Sequence, residues 1–153
     1  MTDKLAKMEA VFDALDKKQI KVGFFDSAKY TDGTSIAYIA AIQELGYPEG
    51  GIPARPFIRP SITKNKSKYA RGFYSAAKKA LSGESDITSG LSIIGDVAVG
   101  DIKEGIEAVI TPELKPATIA ARARKHSKGK ATSKPLVYTG KMLESVTHAV
   151  EDK

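Results

Sequence analysis

The sequence predicts an α+β fold: a small antiparallel sheet packed with several helices, plus an extended proline-rich arm. Three observations point there. Apolar residues recur at three- and four-residue spacing in several segments, the mark of amphipathic helices. Residues 19–25 and 146–150 instead alternate between apolar and other side chains, as strands do. Residues 50–60 read GGIPARPFIRP, whose three prolines remove backbone donors and hold the chain extended.

Residues 3–17 form an amphipathic helix, with Leu5, Met8, Phe12 and Leu15 on one stripe and Lys4, Lys7, Asp13 and Lys17 between them. In QIKVGFF, Ile20, Val22 and Phe24 point one way and Lys21, Gly23 and Phe25 the other. DSAKYTDG is a loop turning at Asp32-Gly33. Thr34 is the expected N-cap of a short helix that ends at Gly46. That helix is apolar nearly all round (Ile36, Tyr38, Ile39, Ile42, Leu45), so the fold or a partner must bury it.

The arm follows, over residues 47–60, with Ile52 and Phe57 as its apolar anchors. Pro60 suits the first turn of a helix reaching Leu81, striped by Ile62, Tyr69, Phe73, Ala76 or Ala77, and Ala80, with Gly83 as its stop. Lys64, Lys66, Lys68, Lys78 and Lys79 take its other faces.

Residues 86–110 carry a helical stripe from Ile87 through Leu91, Ile94, Ala98, Ile102 and Gly105 to Val109. Against it stand Gly90, Gly95, Gly100 and Gly105, each costing roughly 1 kcal/mol in a helix relative to alanine. The rival is a hairpin turning at Gly95-Asp96. The stripe outruns any hairpin arm, which favours the helix. A five-residue step rotates about 140°, so these glycines form no single packing groove.

TIAARARKHS is a further short helix, and a basic loop occupies residues 124–134. The chain closes with a turn at Thr139-Gly140, a short helical piece and a strand through Val146, His148 and Val150. No internal repeat or long linker divides it, so residues 1–153 read as a single domain, long enough to bury about 68–70% of the unfolded surface.

The chain has no cysteine, which excludes disulfides and cysteine-based zinc sites and suits a reducing compartment. No apolar run approaches the roughly 20 residues of a membrane span, and the charged N-terminus does not read as a signal peptide. The protein is therefore expected to be made in the cytoplasm and to meet no membrane. Net charge is 24 − 18 = +6. Seven basic residues and no acid lie from Arg59 to Lys79, and eight more, again with no acid, from Lys115 to Lys141. Such runs attract phosphate when they are not simply a solvated face.

The sequence carries no recognisable catalytic motif. GDVAVGD (95–101) has the glycine spacing of a phosphate-binding loop, but it lacks the lysine and hydroxyl, and Asp101 would repel phosphate. His126 and His148 stand 22 positions apart and read as surface residues, so no metal is expected. Asp101, Glu104 and Glu107 read as a solvated polar face rather than an acid–base pair. No Gly-x-Ser-x-Gly elbow is present. The expectation is no catalytic residue, no cofactor and no enzyme. Tyr69, Phe73 and Tyr74 interleave with Lys68, Arg71 and Lys78, a pattern that serves a helix core more often than base stacking.

The order KVGFF, YIAAIQELG, IPARPFIRP resembles that of tail-completion or neck proteins of tailed bacteriophages, the virion morphogenesis group. GDVAVGDIKEGI, LKPATIAARARK and KPLVYTGKMLESVTHAV extend the resemblance over residues 20–150. Its strongest motifs are Ile52 to Phe57 and Pro135-Leu136-Val137 with Thr139-Gly140; Tyr138 stands where that pattern has aspartate.

The resemblance implies a structural virion subunit with no catalysis. Copies of it would form a ring, a hexamer, at the head–tail junction or the top of the tail, joining the tail to the capsid connector. Its partners would be further copies, the connector or adaptor, and tail-tube proteins. The alternative is a small basic nucleic-acid-binding protein.

Ile52, Pro53, Arg55, Pro56, Phe57 and Arg59 are the expected subunit interface. Ile52 and Phe57 would insert into an apolar site, and Arg55 and Arg59 would pair with carboxylates there. The other arrangement is an arm packed on its own subunit. Arg122, Arg124, Lys125, Lys128 and Lys130 are the expected contacts to an acidic partner or to DNA passing through the ring, the latter without sequence specificity.

Overall fold

The computed structural model describes residues 2–125, 133–137 and 139–153 (Thr2 and Lys125 by their backbone alone). Among them the chain forms seven α-helices and one two-stranded antiparallel sheet, the α+β class expected. In order these are α1 Thr2–Lys17, β1 Lys18–Gly23, α2 Ile36–Leu45, α3 Ile58–Lys64, α4 Lys66–Ser82, α5 Ile87–Ala108, α6 Pro116–Lys125, α7 Lys141–Glu144 and β2 Thr147–Asp152. Their contacts gather the chain into two compact units. The first holds residues Met1–Val22, Ile62–Asp101 and Thr147–Lys153; the second holds Gly23–Ser61 and Ile102–Val146.

In the first unit α1 packs on α4, and β1 pairs with β2. Val11, Ala76, Ile87, Leu91 and Ile94 form the core, joined by the partly buried Ala14, Leu15, Ile20, Tyr69, Ala80 and Val150. Cross-strand contacts run from Lys17 to Lys153, Lys18 to Asp152 and Gln19 to Glu151, placing the two ends of the chain's sheet side by side.

Helix α5 replaces the hairpin alternative, and its start shows why. Asp86 accepts hydrogen bonds from the Thr88 and Ser89 amides, both at 2.9 Å, and from the Ser89 hydroxyl at 2.6 Å. These bonds, with that hydroxyl foremost, pull the Asp86 carboxyl down to about 2. A charged oxygen thus satisfies donors that the first helical turn leaves open. The glycines of α5 face different neighbours, as the 140° step requires. A Cβ on Gly90 would lie 2.6 Å from Ala76 Cβ, one on Gly95 would overlap the His148 ring, and one on Gly105 would overlap Ser61 Oγ.

Four boundaries differ from expectation. Strand β1 runs Lys18–Gly23 and stops before Phe24 and Phe25, which were expected in it. Ser35, not Thr34, caps α2: its backbone is extended and its Oγ accepts the Tyr38 amide at 3.3 Å. Thr34 belongs to the preceding loop, its amide bonded to Asp32 Oδ1 and its carbonyl to the Tyr30 amide. The helix expected from Pro60 to Leu81 is two helices, broken at Asn65 with φ −101° and ψ 8°. Asparagine competes with helix by local hydrogen bonding, and this conformation lies off the helical basin.

The arm, too, is shorter than residues 47–60. Tyr47 and Ile52 pair through two backbone hydrogen bonds (2.8 and 3.0 Å) around a 3₁₀ turn, Pro48–Gly50, and α3 begins at Ile58. Of residues 47–60, only 53–57 lie outside any helix, turn or bridge.

Candidate interaction site

Residues 53–57 are held on both sides by groups of the same unit. Upstream, Gly46 ends α2 with φ 79° and approaches Ala54 so closely that a Cβ would fall 2.8 Å from the Ala54 nitrogen. The Arg55 amide then donates to the Gln43 carbonyl at 2.6 Å. The Arg55 side chain, 5% exposed, donates through Nε to the Pro112 carbonyl (2.8 Å), through Nη2 to the Glu113 carbonyl (3.2 Å) and through Nη1 to Gln43 Oε1 (3.4 Å). A buried guanidinium is tolerable here because planar donors meet fixed acceptors.

Downstream the clamp is Glu44. Its Oε2 accepts the Phe57 amide at 2.6 Å and the Ile58 amide at 2.9 Å. Its Oε1 accepts the Arg59 amide at 3.1 Å and Arg59 Nε at 3.0 Å. Arg59 Nη2 also donates to the Glu44 carbonyl at 3.3 Å. One carboxylate on α2 therefore caps the first turn of α3 and ties it to the segment between them. Burial alone would raise the Glu44 pKa; the three amides and the guanidinium outweigh it and hold the carboxyl below its usual range.

Between these clamps sits Phe57, 1% exposed, its ring edge-on to Phe24 with centroids 6.1 Å apart. Burying such a side chain stabilises by about 2–3 kcal/mol. Ser61 Oγ donates to the Phe57 carbonyl at 2.6 Å. The buried residues of this unit also include Ile36, Ala40, Ile102, Ile106, Leu136 and Met142.

Of the two arrangements open for the arm, the chain shows packing on itself. The roles expected for Phe57, Arg55 and Arg59 are corrected accordingly. Phe57 lies in its own unit's interior, Arg55 meets carbonyls rather than carboxylates, and the carboxylate that Arg59 meets is Glu44 of the same chain. Ile52 is half-buried, whereas Pro53, Ala54, Pro56 and most of the Arg59 side chain (66%) face solvent. Exposed large apolar side chains of the same unit include Tyr38, Leu45, Tyr47 and Ile110. Helix α2 is thus only partly buried, with Tyr38 at 63% and Leu45 at 66% exposure.

Among the expected partner contacts, Arg122 is committed within the chain: its Nη1 donates to the Lys134 carbonyl at 2.9 Å and its Nη2 to the Pro135 carbonyl at 3.0 Å. It ties α6 to the stretch that precedes α7. Arg124 is exposed. The Lys125 side chain, Lys128, Lys130, His126 and Tyr138 lie outside the described residues, as does most of the basic loop expected over 124–134.

Two acidic groups escaped the sequence reading. Glu44 carried a usable signal, being an acid on a helix otherwise apolar nearly all round. Asp101 was expected on a solvated face but is 6% exposed, accepting from Lys68 Nζ and, at 2.8 Å, from the Tyr69 hydroxyl. Burial and then that bond raise the Tyr69 pKa. His148, expected at the surface, is only 14% exposed, with Nε2 3.0 Å from Ser92 Oγ and Nδ1 3.4 Å from Asp96 Oδ1.

Among the described residues no group of three or more histidine, cysteine or acidic side chains is placed to hold a metal ion, and no helix is long and apolar enough to cross a membrane. Comparison with protein-family models, with curated proteins and with solved structures found no match to the chain.

Proposed function

We propose that the chain is a structural subunit of a tailed-phage virion rather than an enzyme. Its copies close into a ring at the head–tail junction or the top of the tail, joining the tail to the capsid connector. The observation that carries this reading is the doubly clamped segment of residues 53–57. Arg55 and Glu44 fix its backbone from opposite ends, leaving Pro53, Ala54 and Pro56 exposed beside Leu45 and Tyr47. A surface already ordered loses little conformational entropy when it docks, which suits a repeated joint. Ring formation further needs head-to-tail contacts between unlike surfaces. The order of motifs over residues 20–150, similar to that of phage tail-completion and neck proteins, supports the same assignment.

The test is the purified protein without nucleic acid, examined by sedimentation velocity and negative-stain imaging. Closed rings are expected. A monomer at every accessible concentration overturns the reading.

One observation favours a second reading, a basic nucleic-acid-binding protein. Arg71, Tyr74 and Lys78 recur at three- and four-residue spacing on α4, all exposed, and Tyr74 is 74% exposed. Cations flanking an open aromatic ring suit single-stranded nucleic acid. DNA retention that falls steeply with salt and is lost in Tyr74→Ala supports this reading; absent or salt-insensitive retention removes it.

A further inference from the structure

The first unit carries two apolar surfaces. The first is a stripe on α1. Val11, Ala14 and Leu15 turn inward to the core, while Leu5 (59% exposed) and Phe12 (58%) stay open to solvent beside Met8. Taking 100° per residue, Glu9, Asp13 and Asp16 project along the far border of that stripe. The stripe therefore has an acidic edge.

The second surface is a groove of about 380 Å³ between α4 and α5. Helices α4 and α5 approach closely beside it: a Cβ on Gly90 would lie 2.6 Å from Ala76 Cβ, and one on Gly72 would lie 3.0 Å from Ile94 Cγ1. The α5 wall is apolar, with Ile93 61% and Val97 38% exposed. The α4 wall is basic through Lys79, Lys68 being already paired with Asp101 of its own chain, and Glu84 also lines the groove. Helix α4 carries five lysine or arginine residues and no acid.

We propose that this groove receives α1 of a second copy of the chain, Leu5 and Phe12 seating on Ile93 and Val97 while Glu9 and Asp16 face Lys79, Asp13 being held by Lys17 of its own helix. Two relationships carry the inference. The apolar stripe and the apolar wall each meet a border of opposite charge, so one register satisfies both. Within one chain α1 contributes no residue to the groove, whose walls come from α4, α5 and the turn between them. A contact between unlike faces of identical subunits repeats from copy to copy and makes a ring where the rotation closes. The inference rests on the ring reading and adds a second contact between copies to the surface of residues 53–57.

The absence of cysteine makes the test direct. Phe12→Cys and Val97→Cys are prepared separately, mixed, and treated with a short bismaleimide. Covalent dimers are expected in the mixture and in neither variant alone. In parallel, Phe12→Asp is expected to weaken self-association at least tenfold by sedimentation while its circular dichroism stays that of the parent; Ile93→Asp repeats the measurement from the groove side. A parent protein that stays monomeric overturns both the ring and this joint. An oligomer that forms normally in Phe12→Asp and Ile93→Asp, with no mixed cross-link, overturns this joint alone.

Discussion

The imidazole of His148 on β2 fills the space that a β-carbon on Gly95 of α5 would need. The ring is fixed there, its two nitrogens near Ser92 and Asp96. The sheet and α5 therefore meet through a side chain laid against bare backbone.

Gly95→Ala tests that contact. Helix propensity favours alanine by about 1 kcal/mol, yet the ring must move and overpacking typically costs about 1–3 kcal/mol. The expected net is destabilisation of about 1 kcal/mol, read as a lower urea midpoint at unchanged slope, and relieved in the double variant with His148→Ala. Gly100→Ala is the opposite case: nothing lies within 4 Å of the new methyl, so stabilisation of about 0.5–1 kcal/mol is expected.

Glu44 should govern acid sensitivity. Its folded pKa lies below the ordinary value of 4.5, so its contribution is complete above that value and is lost as pH falls through the lower, folded one. Stability should therefore hold from neutrality to about pH 5 and decline below. In Glu44→Gln the amide nitrogen would face the Arg59 donors. A loss of about 2 kcal/mol at pH 7 is expected, with a shallower acid limb in denaturation curves taken from pH 7 to pH 3.

Arg55 and Arg59 should separate cleanly although both are arginines of one motif. Arg55→Met removes the three hydrogen bonds that tie a buried side chain to Pro112, Glu113 and Gln43 and should cost about 1–2 kcal/mol, with faster amide exchange and proteolysis over residues 53–57. Arg59→Ala removes a mostly exposed partner of Glu44 and should cost no more than about 1 kcal/mol.

Asp101→Asn leaves Lys68 without its anion and Tyr69 with a poorer acceptor in a buried place. A loss of about 1–3 kcal/mol is expected, and Tyr69→Phe, which deletes one neutral donor, should lose about 1 kcal/mol. Thermal melts of the two single variants and the double give the coupling between Asp101 and Tyr69.

Much of the fold was legible in advance because its signals are local. The stripe from Ile87 to Val109 predicts α5, the turn at Gly83 predicts the end of α4, and alternation around Ile20 and Val150 predicts two strands, though not that they pair with each other; each signal needs only neighbours within a few residues. The break at Asn65 was hidden by an apolar stripe that continues across it. At the interaction site, the prolines of residues 53–60 announced an ordered segment, but not what holds it.

Order along the chain was thus enough to decide the α+β class, the places of most elements and the stiffness of the proline segment, since dihedral limits, caps and periodicity act between near neighbours. Tertiary structure alone decided that Glu44 reaches the amides of Phe57, Ile58 and Arg59, that Arg55 reaches carbonyls 57 and 58 positions away, and that Asp101 is buried against Tyr69. The reason is that a carboxylate or guanidinium has no preferred distant partner in the sequence. It pairs with whichever polar groups the packed helices bring to it, and burial then makes that pairing obligatory.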